Sequence, residues 1–119
     1  MDPHFDGVIF QTHAAELVRR LRREFPRYRA LDVRDAGAYA SAHIPAAVRV
    51  TAEDLADALP DGTDPSTEFI VIGAGPGDPA VRRASLALRD RGARRIVELS
   101  GGMAEWVDYG YGTERENAA

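Results

Sequence analysis

The stretch VIGAGPGDPAV, residues 71–81, places three glycines between an apolar run and a segment that can open a helix. Strand, glycine turn and helix in that order are the parts of a phosphate cradle, because glycines admit a ligand close to the backbone and a helix N-terminus presents unpaired N–H groups. The spacing resembles the dinucleotide fingerprint G-x-G-x-x-G, and Glu98, 20 residues beyond Asp78, stands where an acidic residue would hold a ribose. The third glycine of that fingerprint is Asp78, however, and a carboxylate there crowds the helix–strand approach and repels a pyrophosphate. The strand-helix-strand unit also ends at Leu99 with 20 residues left, too few for the further strands of a dinucleotide-binding half.

Outward from the glycines, EFIVI (68–72) is a continuous apolar run suited to the centre of a sheet with both faces covered. On the other side, Asp78 before Pro79 is a cap followed by proline at the first helical position. Val81, Ala84, Ala87 and Leu88 then continue an apolar helical face as far as Gly92. RIVEL (95–99) reads as the next strand, and a short helix at 103–107 carries Trp106, the only tryptophan, into the core. Upstream, RALDV (29–33) and VRV (48–50) read as short strands, with one or two helical turns at 36–41 between them. Ala14, Leu17, Val18, Leu21 and Phe25 recur at helical spacing behind a Thr12 cap, and Pro26 ends that segment. TAED (51–54) has capping-box spacing and opens a short helix through Leu59, closed by the turn formers of residues 60–66. Strands alternating with helices predict an α/β fold: one domain over residues 7–112, a mainly parallel central sheet flanked by helices on both faces, and frayed ends at 1–6 and 113–119.

Composition narrows the chemistry. A length of 119 residues suits one domain, and 45% hydrophobic with 29% charged residues describes a globular chain. All 15 basic residues are arginine, and the net charge of −4 argues against a general nucleic-acid binder. Arg19, Arg20, Arg22, Arg23, Arg27 and Arg29 crowd one segment, but the first four project away from Leu17 and Leu21 and are read as a solvated outer face. The chain has no cysteine, which excludes disulfides, thiolate metal sites, persulfides and thiol nucleophiles. No run has the length of a membrane span and the start MDPHFDGVIF lacks the features of a secretion signal, so a cytoplasmic location with no membrane partner is the expectation.

Four stretches in order resemble the rhodanese-like (Cdc25-related) domain family. LDVR (31–34) resembles the family's strand ending in Asp-Val-Arg, and YASAHIPAA (39–47) is similar to its Gly-His-Ile-Pro-Gly-Ala turn. FIVI (69–72) resembles the strand that leads into the active-site loop, and VELSGGMAEW (97–106) the closing Leu-x-Gly-Gly-x-x-x-Trp element. The resemblance implies that Asp32, Arg34, His43, Gly101, Gly102 and Trp106 are structural motif positions, with Asp32 pinning the loop after its strand. It also implies that the position of the family's cysteine nucleophile falls at Gly73, or at Gly75 if the loop is aligned from its helix end. Ala38, Ala42, Ala46 and Asp78 depart from the family's acidic, glycine, glycine and arginine residues respectively.

The expectation is therefore a rhodanese-like domain without inherited sulfurtransferase activity, acting as a protein-binding or regulatory module with no cofactor and no metal. Two alternatives stand beside it. The loop formed by Gly73, Ala74, Gly75, Pro76, Gly77 and Asp78 could bind a small oxyanion with help from Arg82 or Arg83, although Asp78 as a cap would itself occupy the N–H groups. That loop could also serve non-cysteine chemistry using Asp78, His43 or Asp35, for which no set of nucleophile, base and orienting group is evident. A dinucleotide-binding fragment is the remaining reading of the local motif. His43 stands alone in its turn and reads as a hydrogen bonder rather than a metal ligand.

Overall fold

A computed structural model describes residues 8–23, 27–51, 54–55 and 64–116. Five parallel strands form one sheet in the order β1-β5-β4-β2-β3. They are β1 (Val8–Thr12), β2 (Tyr28–Asp32), β3 (Val48–Arg49), β4 (Glu68–Ile72) and β5 (Arg95–Leu99). Four helices are present among the described residues: α1 (Ala14–Arg20), α2 (Ala36–Ser41), α3 (Pro79–Asp90) and α4 (Gly102–Asp108).

The sheet is apolar on both faces because the strand side chains alternate between two separate cores. Ala30, Ile70, Ile72, Val97 and Leu99 meet Ala14 and Leu17 of α1 and Met103 and Trp106 of α4 on one face. Leu31, Phe69, Val71 and Ile96 meet Val81, Ala84 and Leu88 of α3 on the other. Every residue of β4 is buried, as expected for the central strand. The expectation of a mainly parallel sheet with helices on both faces is met.

The first segment differs from its sequence reading. Residues 8–12 form a strand at the sheet edge, in register with β5 from Val8 opposite Arg95 to Thr12 opposite Leu99. Thr12 therefore ends a strand instead of capping a helix, and His13 occupies the N-cap position of α1 without a side-chain capping bond. The cap comes from elsewhere: the Glu105 carboxylate accepts the Ala14 N–H at 2.6 Å. Helix α1 closes at Leu21, and the expected stop at Phe25 and Pro26 lies outside the described residues.

Two of the four helix arginines read as a solvated face turn inward. Arg20 and Arg23 donate to the fully buried Glu68 at 2.6 and 3.2 Å, and Arg95 lies 3.7 Å from its second oxygen. Burying a carboxylate requires such partners, and these tie α1 and β5 to the start of β4. Half of the capping box forms as spaced: the Asp54 N–H donates to Thr51 Oγ1 at 3.3 Å, while the Asp54 carboxylate accepts the Thr51 hydroxyl at 2.9 Å in place of the Thr51 backbone N–H. The rest of that helix, through Leu59, lies outside the described residues. Towards the carboxyl terminus, Glu114 exchanges backbone hydrogen bonds of 2.9 Å with His43.

Candidate functional site

The 73–78 loop leaves the carboxyl end of β4 and enters α3, so it lies at the edge where open α/β sheets place ligands. Its carbonyls face α4. Gly73 and Ala74 oxygens accept the Met103 and Ala104 N–H groups at 2.9 and 3.0 Å, which satisfies donors that the first turn of a helix leaves unpaired. The close approach depends on Gly102, whose φ is +60° and where a Cβ would come within 2.5 Å of the Gly75 nitrogen. Gly101 is crowded in a different way: its φ of −88° is ordinary, but a Cβ there would lie 2.2 Å from a Glu105 carboxylate oxygen and 2.5 Å from Glu105 Cβ.

Asp78 bridges the loop and the helix that follows it. One carboxylate oxygen accepts the Ala80 N–H at 3.0 Å as the cap of α3, and the other accepts the Ala74 N–H at 3.0 Å across the loop. A negative charge of the protein's own thus sits at the helix N-terminus, where a bound anion would otherwise be favoured. At Gly73 a Cβ would come within 2.4 Å of Val81 Cγ2 and 2.8 Å of Asp78 Oδ2, so a side chain there must displace one or both of them. At Gly75 a Cβ would meet only Ala104 Cβ, at 3.8 Å.

A cavity of 430 Å³ adjoins the loop on the β5 and β1 side, between Gly75, Asp78, Arg82, Glu98 and Ser100. Arg82 lines it, yet its guanidinium is engaged: Nε and Nη2 donate to the two Glu98 oxygens at 3.0 and 2.9 Å. Glu98 is buried and also accepts from Ser85 Oγ at 2.7 Å and from the Gln11 amide. Burial pushes the Glu98 carboxyl upward, but the hydrogen bonds from Arg82, Ser85 and Gln11 outweigh it, leaving the group below its ordinary range. The acid read as a ribose holder is therefore saturated by donors of its own fold. Arg83 lines a different cavity, against the segments that follow β2 and β3, so the two candidate arginines diverge.

The motif residues hold the neighbouring turns. Asp32, fully buried at the end of β2, accepts the Arg34 backbone N–H at 3.0 Å and pairs with the Arg34 guanidinium at 2.8 Å. Arg34 Nη2 also donates to the Ala42 carbonyl at 2.6 Å, which fastens the turn that follows α2. His43 is buried in that turn, with Nδ1 2.8 Å from the Tyr39 carbonyl and its ring stacked on Tyr39 at 3.9 Å. Ala46 keeps the left-handed conformation, φ +73°, where the family turn has glycine. Trp106 is buried and donates its indole N–H to the Gly112 carbonyl at 2.9 Å. Asp35 caps α2 by accepting the Ala38 N–H at 2.8 Å. Asp35, His43 and Asp78 are thus each engaged in a local turn or cap. Among the described residues no group of three or more histidines, aspartates or glutamates could hold a metal ion.

The family of rhodanese-like domains matches the chain over residues 13–109, which takes in the pinned β2 turn, the β4 loop and the double glycine of α4. The chain belongs to the rhodanese-like family. Among solved structures, this rhodanese-like domain is similar to the crystal structure of the Alr3790 protein from Anabaena sp., at 35% identity over 88% of this chain and 80% of that one, with a TM-score of 0.74. The solution structure of the rhodanese-like domain from the same protein matches at 35% identity over 97% of this chain and 80% of that one, with a TM-score of 0.73. A rhodanese-like domain protein from Staphylococcus aureus shares the fold at 23% identity, 91% of this chain and 99% of that one, TM-score 0.71. No curated protein matches the chain. With no cysteine anywhere, the domain has no thiol to carry sulfur, whichever loop position is aligned to the family nucleophile. No helix among the described residues is long and apolar enough to cross a membrane.

What sequence reasoning missed is the long-range part. Glu105 as the cap of α1, Glu68 as the anchor of Arg20 at the end of α1 and of Arg23 just beyond it, and Glu98 as the partner of Arg82 are joined to residues distant in the chain. Their only sequence signal was an acidic residue inside or beside an apolar segment.

Proposed function

We propose that this rhodanese-like domain does not transfer sulfur and acts by binding another protein at the carboxyl edge of its sheet. The observation that carries the reading is the Asp78 carboxylate on the Ala74 and Ala80 amides at 3.0 Å, in a loop without a nucleophile. That internal anion takes two of the donors an oxyanion would use, the Ala74 and Ala80 N–H groups, and puts a like charge beside the rest of the loop, which counts against the small-oxyanion alternative; the engagement of Glu98 by Arg82, Ser85 and Gln11 removes support from the dinucleotide reading.

Support for a protein partner comes from the exposed side chains of α4, the helix that backs the loop. Val107 and Tyr109, 54% and 59% exposed, lie on and just after α4, whose exposed Ala104 packs its N–H on the loop. Isolated exposed apolar residues are ordinary, but a large aliphatic and an aromatic group close together at the end of the helix that backs the loop form a surface that a partner can cover.

The test combines two measurements on the intact chain. Thiosulfate and cyanide are expected to give no thiocyanate above the buffer rate, and turnover by the wild-type chain would overturn the inactive assignment. Affinity capture from the native lysate is expected to retain a partner with wild type and lose it with Val107→Glu. Equal capture by both, or capture of nothing, would overturn the binding surface.

A further inference from the structure

A second cavity, of 480 Å³, lies on the opposite side of α3 from the Glu98 cluster, between that helix and the segments that follow β2 and β3. Its volume is that of a small-molecule site, and it too opens at the carboxyl ends of strands. The floor is apolar, formed by Val33, Val50, Leu55 and Ala84, of which the last three are buried.

The charged lining is unequal in what it can still do. Arg34 is committed to Asp32 and to the Ala42 carbonyl, and the Asp35 carboxylate to the Ala38 N–H. Arg49 donates Nε to the Arg34 carbonyl at 3.0 Å, an anchor that leaves its two Nη groups available. Arg83 is exposed at the rim and makes no hydrogen bond or ion pair among the described residues. Two guanidiniums with available N–H groups thus border an apolar floor, opposite a carboxylate already held by a helix cap. Guanidinium forks match the geometry of carboxylate and phosphate oxygens, and the apolar floor favours a body rather than a bare ion.

We propose that this cavity binds a small organic anion, with its apolar body on Val50 and Ala84 and its carboxylate or phosphate head on Arg49 and Arg83. The site is separate from the glycine loop and goes beyond the protein-binding reading, because none of the loop residues 73–78 lines it.

Phenylacetate and phenyl phosphate serve as probes, with 2-phenylethanol as the neutral control, each titrated into the full chain while amide NMR shifts are followed. Both anions, or one of them, are expected to give saturable shifts at Val50, Ala80, Ala84 and Ala87 in the millimolar range, and the stronger binder identifies the head group. The neutral control is expected to bind at least about tenfold more weakly, and Arg83→Gln to weaken the anions about fivefold or more. Arg89→Gln, on the same helix but outside the cavity, is expected to leave them unchanged, which separates a local contact from net charge. An unchanged melting temperature for Arg83→Gln shows that the variant keeps its fold. Absence of saturation with both anions, equal binding by Arg83→Gln, or shifts confined to residues 73–78 would each overturn the assignment.

Discussion

Glu105 of α4 caps α1 by accepting the Ala14 N–H at 2.6 Å, from a position 91 residues further along the chain. A helix start that its own sequence leaves without a side-chain cap is completed by the helix packed beside it. Glu105→Ala should therefore act like the loss of an N-cap, destabilising the domain by about 1–2 kcal/mol. Glu105→Gln, which keeps an accepting oxygen, should cost less. Urea unfolding of the two variants checks the order, and equal stability of wild type and Glu105→Ala would show that the contact contributes nothing.

Introducing a cysteine distinguishes the two loop positions. Gly73→Cys must displace Val81 or Asp78 and should lose about 1–3 kcal/mol by overpacking. Gly75→Cys has room, with only Ala104 Cβ near at 3.8 Å, and should melt close to wild type. Thermal melts of both variants read the difference directly. A Gly73→Cys variant as stable as wild type would show that the loop opens easily.

Acid should destabilise the fold partly through Glu98, whose carboxyl is held below its ordinary value of 4.5 because donors from Arg82, Ser85 and Gln11 outweigh the effect of burial. A depressed native value means that the unfolded chain takes up the proton first as pH falls. This contribution is thus complete above about pH 5 and is lost as pH falls past the unfolded value and through the lower native one. Stability measured by urea unfolding between about pH 6 and 3 should fall with a smaller slope in Glu98→Gln than in wild type. Identical slopes would remove Glu98 from the account.

Ala46 pays a conformational penalty that glycine would not. With φ at +73°, an alanine is strained by roughly 1–2 kcal/mol, while glycine adds back chain entropy of about 0.4–1 kcal/mol in the unfolded state. Ala46→Gly should therefore stabilise the domain by up to about 1 kcal/mol. A differential scanning measurement that showed a lower melting temperature would mean that the Ala46 side chain makes compensating contacts.

Much of this fold was legible in local patterns. β4 and β5 occupy the stretches read as strands, and Asp78 with Pro79 opens α3 as the residue types required. β1 was missed although Val8, Ile9, Phe10 and Thr12 are strand formers by type: the run is short, its burial does not alternate, and its only partner, β5, is distant in the chain. The site was half legible. The capping role of Asp78 follows from its place before Pro79, whereas its second bond, back to Ala74, depends on how the glycines turn the chain. Glu98 illustrates the limit: its distance from Asp78 in sequence pointed to a ribose, while its actual partners come from β1 and from one face of α3.

Gly102 gives the loop a property that outlasts any chemistry performed there. Because its missing side chain lets α4 hold the Gly73 and Ala74 carbonyls through the Met103 and Ala104 N–H groups, the loop is shaped from behind by the protein itself. A substrate or a nucleophile is not needed to keep that form, so residues on the outer side of the loop can be exchanged without dismantling the scaffold. Folding in this sense constrains the back of the loop at Gly102 more tightly than the side chains on its outer side.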